Sequence, residues 1–244
     1  MPTTDVSGLA VKNHLLAELP PLTLRHISDR LQLVALRAGD VIYESGEEIT
    51  HVYFPITAII SLLYIMENGS TAEIGLAGNN GAVGLAIFLG SVTTIGRAVV
   101  LNSGDALRVS RRVAEELFET ESRFRKLILL YIQSLLVQVS QTAVCNRLHS
   151  IEQRLCRWLL MNDDMLESHD LVVTQELLAS MLGVRREGVS AAASELQKLN
   201  LIRYARGKVT IVDRRGLERE ACECYQVVID EYDRLLGHYI PLNR

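Results

Sequence analysis

Short apolar segments separated by glycine turns fill much of the first half of the chain. Between Leu33 and Val109 these segments have the length of strands, and Asn68-Gly69 and Ser103-Gly104-Asp105 lie between them. Such segments, bounded by glycine, asparagine and aspartate, are typical of antiparallel strands. Asn-Gly between two apolar strands favours a β-hairpin. We therefore predict an antiparallel β domain, with an N-terminal helical segment, over 1–121.

The apolar spacing becomes helical after Ser110, which is a candidate N-cap for a helix beginning near Val113. No glycine or proline occurs from Arg123 to His149. One stripe of apolar residues recurs there at spacings of four, three and four. The helix could be buried in its own domain, but its length exceeds a small β domain, so we favour a partner surface. We predict a dimerisation helix over 122–149 with the interface residues Ile132, Leu136, Val139 and Ala143.

A new helix is predicted to begin inside this helical region. Ser150 and Gln153 have the spacing of a capping box, in which each side chain bonds to the other residue's backbone N–H. Leu155 and Leu159 continue an apolar stripe of their own. We interpret His149 and Ser150 as the hinge between two domains.

Two short helices and a hairpin follow. Thr174 can cap the helix QELLASML, Gly183 ends it, and REGVSAAASELQKL begins directly afterwards. The hairpin LIRYARGKVTIV has the basic tip Arg206-Gly207-Lys208. Two short helices joined by a glycine turn indicate a helix-turn-helix, and the hairpin is its wing. We predict a winged helix-turn-helix over 150–215 and a C-terminal helical extension over 216–244, with apolar positions at Leu217, Val228, Tyr232, Leu235 and Tyr239.

Positive charge is concentrated in this segment. The whole chain has a formal net charge of −4, yet residues 180–215 hold eight Lys and Arg against three Asp and Glu. A basic helix-turn-helix favours DNA, with arginine suited to guanine and glutamate to cytosine. The predicted DNA-binding residues are Thr174, Arg185, Arg186, Glu187, Ser190, Ser194, Arg206 and Lys208, and Lys198, Arg203, Arg214 and Arg215 add charge for phosphates.

Residues 22–215 resemble the Crp/Fnr family of bacterial regulators. The specific part is LLASMLGVRREGVSAAASELQKLNLIRYARGKVTIVD, in which Arg186-Glu187-x-Val189-Ser190 is similar to the family's recognition-helix signature. The resemblance implies an α+β fold: an antiparallel β-roll like a cyclic-nucleotide-binding domain, a long dimerisation helix and a C-terminal winged helix-turn-helix. It implies a homodimer on double-stranded DNA with a pseudo-palindromic operator, and RNA polymerase as a candidate partner. Ala191 stands where relatives closest to the cyclic-AMP receptor have a second arginine.

The resemblance also locates an effector pocket at Gly84, Leu85, Arg97, Ala98, Val139 and Ser140. Cyclic-nucleotide-binding relatives have a glutamate where this chain has Leu85 and a serine where it has Ala98. Both replacements remove polar partners of the nucleotide, and an unpaired buried polar group costs about 1–3 kcal/mol. We therefore expect that cyclic AMP is not used in the usual way. Arg97 could equally be a structural arginine, and the identity of the effector and of any cofactor stays open.

Other classes of function have little support in the sequence. No cysteine precedes Cys145, so the oxygen-sensing cluster of the Fnr branch is not expected, whereas haem is neither required nor excluded. Cys222 and Cys224 form a C-x-C pair without partners at zinc-ligand spacing, so no metal site is predicted. We expect reduced thiols, no secretory signal, no membrane span, a cytoplasmic location and no enzymatic activity. The alternative is a small-molecule-binding module whose helix-turn-helix serves protein contacts.

Overall fold

The computed structural model describes residues 6–167 and 169–237. It divides into two compact units. One contains residues 1–62 and 77–134, and the other contains residues 63–76 and 135–244. Tyr239, predicted as an apolar position of the C-terminal extension, lies outside the described residues.

Three short helices open the chain, α1 (Val6–Ala10), α2 (His14–Ala17) and α3 (Pro21–Ser28). The strands that follow are β1 (Gln32–Leu36), β2 (Val41–Tyr43), β3 (His51–Pro55), β4 (Ile59–Ile65), β5 (Thr71–Ala77), β6 (Arg97–Asn102) and β7 (Gly104–Ser110). They form two antiparallel sheets in the orders β1-β7-β3 and β2-β6-β4-β5. The β4-β5 hairpin turns at Gly69, which has φ +80°, so the hairpin predicted from Asn68-Gly69 is confirmed.

Apolar side chains fill the space between the sheets. Ile60, Ala98 and Val100 are buried there, with the rings of Tyr43 and Tyr53 packed against them. A 3₁₀ helix, Leu85–Leu89, follows β5, and α4 (Arg111–Thr120) follows β7. Ser110 is the N-cap residue of α4, as predicted, but the helix begins two residues earlier than Val113 and Ser110 makes no side-chain capping bond.

The long predicted helix is present as α5 (Ser122–Leu148). Its first turns are anchored in the β unit through Phe124, whose ring lies 5.9 Å from the ring of Phe88. By length and composition α5 could cross a bilayer, a test that core helices of soluble proteins also pass. Two of its polar residues, Ser134 and Gln138, are buried in protein, and Gln138 Oε1 accepts a 2.7 Å hydrogen bond from Leu76 N. The length and composition of α5 are therefore not evidence that it spans a membrane.

The second unit contains the helices α6 (Ile151–Asp163), α7 (Gln175–Leu182), α8 (Arg186–Lys198), α9 (Arg214–Glu220) and α10 (Cys224–Leu236). Strands β8 (Asp170–Val172), β9 (Ile202–Ala205) and β10 (Lys208–Ile211) form an antiparallel sheet in the order β8-β10-β9. The predicted capping box at the start of α6 is confirmed, with Ser150 accepting from Gln153 N and Gln153 accepting from Ser150 N. The α+β class, the β domain, the long helix and the winged helix-turn-helix are all confirmed.

The C-terminal extension packs on α6 of the same unit. Leu217, Val228 and Tyr232 are buried, as an apolar helix face requires, and Leu235 is half-buried. Helices α9 and α10 both contact α6. The extension therefore adds to the core of the winged helix rather than leaving a free tail in its described part.

The β4-β5 hairpin belongs to the second unit through residues 63–76. The indole Nε1 of Trp158 on α6 donates a 2.7 Å hydrogen bond to Glu73 Oε1 on β5. Both side chains are buried, so neither has water as an alternative partner. The hairpin is thereby held against the base of the winged helix.

Candidate nucleic-acid interface

The helix-turn-helix is built by local backbone signals. Thr174 Oγ1 accepts a 3.1 Å bond from Leu177 N and caps α7, as predicted. Gly183 ends α7 at φ +60°, a left-handed conformation that costs a residue with a Cβ roughly 1–2 kcal/mol. Arg154 on α6 donates to the carbonyl of Leu182, the last residue of α7. These bonds hold the turn that sends the chain into α8.

Helix α8 presents one apolar face to the core and one polar face to solvent. Val189, Ala193 and Leu196 are buried. On the outside, the predicted contact residues Arg185, Arg186, Glu187 and Ser194 are all exposed, together with Ala191. Arg185 is the N-cap residue and Arg186 begins the helix, so both side chains project from its first turn. The first turn of α8 is therefore exposed on its polar face and accessible to a partner.

The wing stands beside that end. Strands β9 and β10 are joined by Arg206 and Gly207, which have φ values of +53° and +75°. Tyr204 on β9 donates a 2.8 Å hydrogen bond to the carbonyl of Val173, next to the α7 cap. One cleft is consequently lined by residues from three elements, namely Thr174, Gln175, Glu176, Arg186, Tyr204, Ala205, Arg206 and Gly207. The structure thus brings Thr174, Arg186 and Arg206 together.

Two other predicted DNA-contact residues have partners inside the protein. Ser190 is half-buried, and its hydroxyl donates a 2.7 Å bond to Gln175 Oε1 on α7. Lys208 forms a 2.7 Å ion pair with Asp170 on β8, and this contact lowers the pKa of Asp170. Both members of the pair are partly exposed, so the pair is weak and a phosphate could replace the carboxylate.

Arg214 does not contribute charge for phosphates, contrary to the sequence-based expectation. Its side chain is largely buried and forms ion pairs with Asp163 and Asp164, while Tyr225 donates a 2.9 Å bond to Asp164. Burial raises the pKa of Asp164 to about 6, although the charge of Arg214 opposes that shift. The polar sequence DDMLESHD, residues 163–170, is typical of a loop, yet its first two residues, Asp163 and Asp164, are buried. The two adjacent aspartates, Asp163 and Asp164, were the feature of the sequence from which a buried cationic partner could have been predicted.

The predicted effector-pocket residues of the β unit differ in what surrounds them. Gly84 is buried at φ +100°, and a Cβ there would lie 2.7 Å from the carbonyl oxygen of His51. Leu85 begins the 3₁₀ helix and Ala98 is fully buried. Arg97 Nη2 forms a 2.9 Å ion pair with Glu44. The ion pair fits the interpretation of Arg97 as a structural arginine, although the buried Nε of Arg97 has no hydrogen-bond partner among the described residues.

The remaining predicted residues lie on α5. Ile132 and Val139 are half-buried, Leu136 is 56% exposed and Ala143 is exposed. Ser140 donates a 2.8 Å hydrogen bond to the carbonyl of Leu136 within the helix. The predicted dimer stripe is therefore an apolar surface of the single chain.

All four cysteines are free and buried in the structure. The sequence interpretation gave Cys222 and Cys224 no metal-binding partners. In the structure, Cys145 Sγ lies 3.4 Å from Cys222 Sγ, and Cys224 Sγ lies 3.6 Å from His149 Nδ1. The missing partners are on α5 and just beyond it, more than 70 residues earlier, where spacing within the C-x-C segment could not reveal them.

Comparison with solved structures finds regulators of the same fold. FixK2 from Bradyrhizobium japonicum matches with a TM-score of 0.68 and 15% identity, over 79% of this chain and 98% of that chain. The c-di-GMP-responsive global regulator CLP of Xanthomonas campestris matches with 0.63 and 16%, over 79% and 99%. A CRP-family regulator from Thermus thermophilus matches with 0.64 and 20%, over 77% and 96%.

Family models match both functional parts of the chain, whereas no curated protein sequence matches it. Residues 33–121 match the cyclic nucleotide-binding domain, and residues 153–220 match the Crp-like helix-turn-helix domain. The two segments cover more than half of the chain and contain the β sheets and the DNA-binding motif described above. The chain belongs to the Crp/Fnr family of transcription regulators.

Proposed function

We propose that this protein is a cytoplasmic, homodimeric regulator that reads a pseudo-palindromic operator through α8 and contacts the flanking phosphates through its wing. The observation that carries the proposal is the exposed first turn of α8 beside the wing cleft, with Arg186 and Arg206 on its two sides. Both guanidinium groups reach the same side of the second unit. A protein that contacts bases in the major groove and the flanking phosphates at the same time needs both groups on one side.

The chemistry of this surface favours specific readout. Arg186 can donate two hydrogen bonds to O6 and N7 of guanine, and Glu187 can accept from the amino group of cytosine. Arg206 at the wing tip and Lys208 beside it supply positive charge for phosphates. The hydroxyl of Ser190 already donates its hydrogen to Gln175. Ser190 can therefore only accept a hydrogen bond from a base, through its oxygen lone pairs.

A dimer would present two such surfaces. The α5 stripe leaves Leu136 more than half exposed, and pairing with a second α5 would remove it from water. Two recognition helices related by a two-fold axis meet successive major grooves about one helical turn apart. RNA polymerase is a further partner of this proposal, since transcription regulators act at promoters.

The β unit is proposed as a sensor that does not use cyclic AMP in the usual way. Arg97 is paired with Glu44, and Leu85 and Ala98 offer no polar side-chain atoms to a nucleotide. One similar regulator, CLP, is described as responsive to c-di-GMP, which shows that this fold accepts other effectors.

The test compares the wild-type protein with Arg186→Ala. An operator is first selected from random duplexes, and binding to its single-base variants is then measured at fixed salt. We expect Arg186→Ala to weaken operator binding roughly tenfold to a hundredfold and to relax the preference at one base pair per half-site. The reason is that a bidentate arginine–guanine contact discriminates by about 1–3 kcal/mol.

Two control variants separate base readout from simple attraction. Arg219→Ala removes the same charge from an exposed position on α9 and should leave the preference unchanged. Lys208→Ala should weaken all duplexes alike and reduce the salt dependence. An unchanged sequence preference in Arg186→Ala would refute the role of Arg186. Failure to select any duplex would favour the protein-contact alternative for the helix-turn-helix.

A further inference from the structure

Four side chains of types that can ligate a metal converge inside the second unit. They are Cys145, His149, Cys222 and Cys224, and their donor atoms all lie within 4.8 Å of one another. Cys145 and His149 are four residues apart, and His149 N donates to the carbonyl of Cys145, so both project from the same face of one helical turn. Cys222 lies between α9 and α10, and Cys224 is the first residue of α10.

The distances correspond to a single tetrahedral ion. Zinc bonds of about 2.3 Å to sulfur and about 2.0–2.1 Å to nitrogen place neighbouring donors about 3.6–3.8 Å apart. Here Cys145 Sγ and Cys222 Sγ are 3.4 Å apart, and Cys224 Sγ and His149 Nδ1 are 3.6 Å apart. A disulfide would need about 2.05 Å between sulfurs.

The surroundings have the charge and the outer contacts of a metal site. Three thiolates and one divalent ion leave a net charge of −1, and the guanidinium of Arg157, which interacts electrostatically with both Cys145 and Cys224, is a buried positive charge beside them. Its Nε has no hydrogen-bond partner among the described residues. His149 directs Nδ1 toward Cys224, while its Nε2 lies 3.3 Å from Glu223. A carboxylate on the second nitrogen of a ligand histidine is the usual outer contact of such sites.

We propose that Cys145, His149, Cys222 and Cys224 bind one zinc-class divalent ion in a closed, four-ligand site. With four protein ligands, no position remains for substrate, so the ion is structural. It joins the end of α5 to the segment that leads into α10. His149 directly precedes Ser150, the N-cap of α6, so the ion also fixes the junction between α5 and α6.

The first experiment measures metal in the full-length protein purified without chelator from zinc-supplemented culture. We expect about one equivalent of zinc per chain by mass spectrometry. The zinc-depleted protein is then titrated with Co²⁺, which should produce the visible bands of a tetrahedral cobalt site and thiolate-to-cobalt charge transfer at one equivalent. This measurement uses the wild-type chain and does not depend on whether any variant folds.

Variants test the ligand set. Cys222→Ser should lose the zinc and the charge-transfer band, whereas Cys156→Ser, at the buried cysteine outside the cluster, should keep both. Glu223→Gln should weaken zinc binding roughly tenfold to a hundredfold while leaving the stoichiometry intact. A cobalt titration without thiolate charge transfer, equal metal content in Cys222→Ser and wild type, or a Cys145–Cys222 disulfide in the purified protein would overturn the proposal.

Discussion

A buried group of two carboxylates and one guanidinium stabilises the winged helix at the scale of single residues. Arg214 is shared by Asp163 and Asp164, and it donates a 2.9 Å bond to the hydroxyl of Tyr225. Two adjacent acids facing one cation cannot both be fully compensated. Asp164 therefore retains a proton more readily than an ordinary aspartate, and its pKa rises to about 6 from the usual 3.8 because it is buried.

Replacing Arg214 by methionine should lower the free energy of unfolding by about 3–5 kcal/mol at pH 7.5, because both acids then remain buried without a cation. Burial raises the folded pKa of Asp164 to about 6 and Arg214 opposes that shift, so the pKa rises further in Arg214→Met and the folded variant gains more from proton uptake than wild type as the pH falls. The loss of unfolding free energy caused by Arg214→Met should therefore be smaller at pH 5 than at pH 7.5. Urea unfolding at both pH values measures it. Arg219→Met, an exposed change on the same helix, should stay within about 0.5 kcal/mol of wild type.

At the scale of elements, α5 has two different faces. Phe124, Leu127 and Ile128 are buried on one side of its first turns, whereas Leu129 and Leu136 are exposed. An exposed apolar stripe on a long helix is unfavourable in water and marks a contact surface. The stripe predicted from the sequence is therefore a proposed dimer interface, for which the single chain supplies one half.

Leu136→Glu should convert the proposed dimer to monomers, because two carboxylates would meet across a desolvated seam. Sedimentation velocity at micromolar concentration measures the change. Gln133→Glu introduces the same group at an exposed position about a quarter of a turn around the helix from the stripe and should leave the dimer intact. If Leu136→Glu sediments as a dimer, the interface lies on another surface.

At the scale of the whole molecule, the chain combines a cyclic nucleotide-binding fold with a DNA-binding domain and has apolar side chains at Leu85 and Ala98. The interior of the β unit is packed with apolar and aromatic side chains, Tyr43 and Tyr53 among them. Arg97, the side chain best suited to a phosphate, is paired with Glu44. An anion there would compete with Glu44 for Nη2 of that guanidinium.

Cyclic AMP should show no micromolar binding to the full-length protein in titration calorimetry. The physical reason is the loss of two polar partners at Leu85 and Ala98, each costing about 1–3 kcal/mol, together with the Arg97–Glu44 pair. Glu44→Gln tests the last contribution, because freeing Arg97 should improve binding without restoring the other two contacts. A clear micromolar isotherm with wild-type protein would show that the pocket uses a different set of contacts.

The sequence by itself determined the elements whose signals lie within a few residues. The Asn68-Gly69 hairpin, the Ser150 capping box and the Thr174 cap all appear as predicted, because turns and caps are hydrogen-bonded locally. The resemblance to the Crp/Fnr family correctly placed these elements in one fold. Periodicity also located α5, which begins at Ser122 as predicted and ends at Leu148, one residue before the predicted end.

Only the tertiary structure decided which distant side chains meet. Arg214 finds its acids 50 and 51 residues away, Ser190 bonds to Gln175, and Lys208 pairs across the sheet with Asp170. Likewise, the C-x-C pair lies beside Cys145 on α5 and His149 just beyond it. Such contacts depend on how helices and strands pack, and charge or spacing along the chain does not encode packing. The sequence therefore indicated which residues could carry DNA contacts but predicted no metal site, and the fold decided which of these side chains have partners inside the protein.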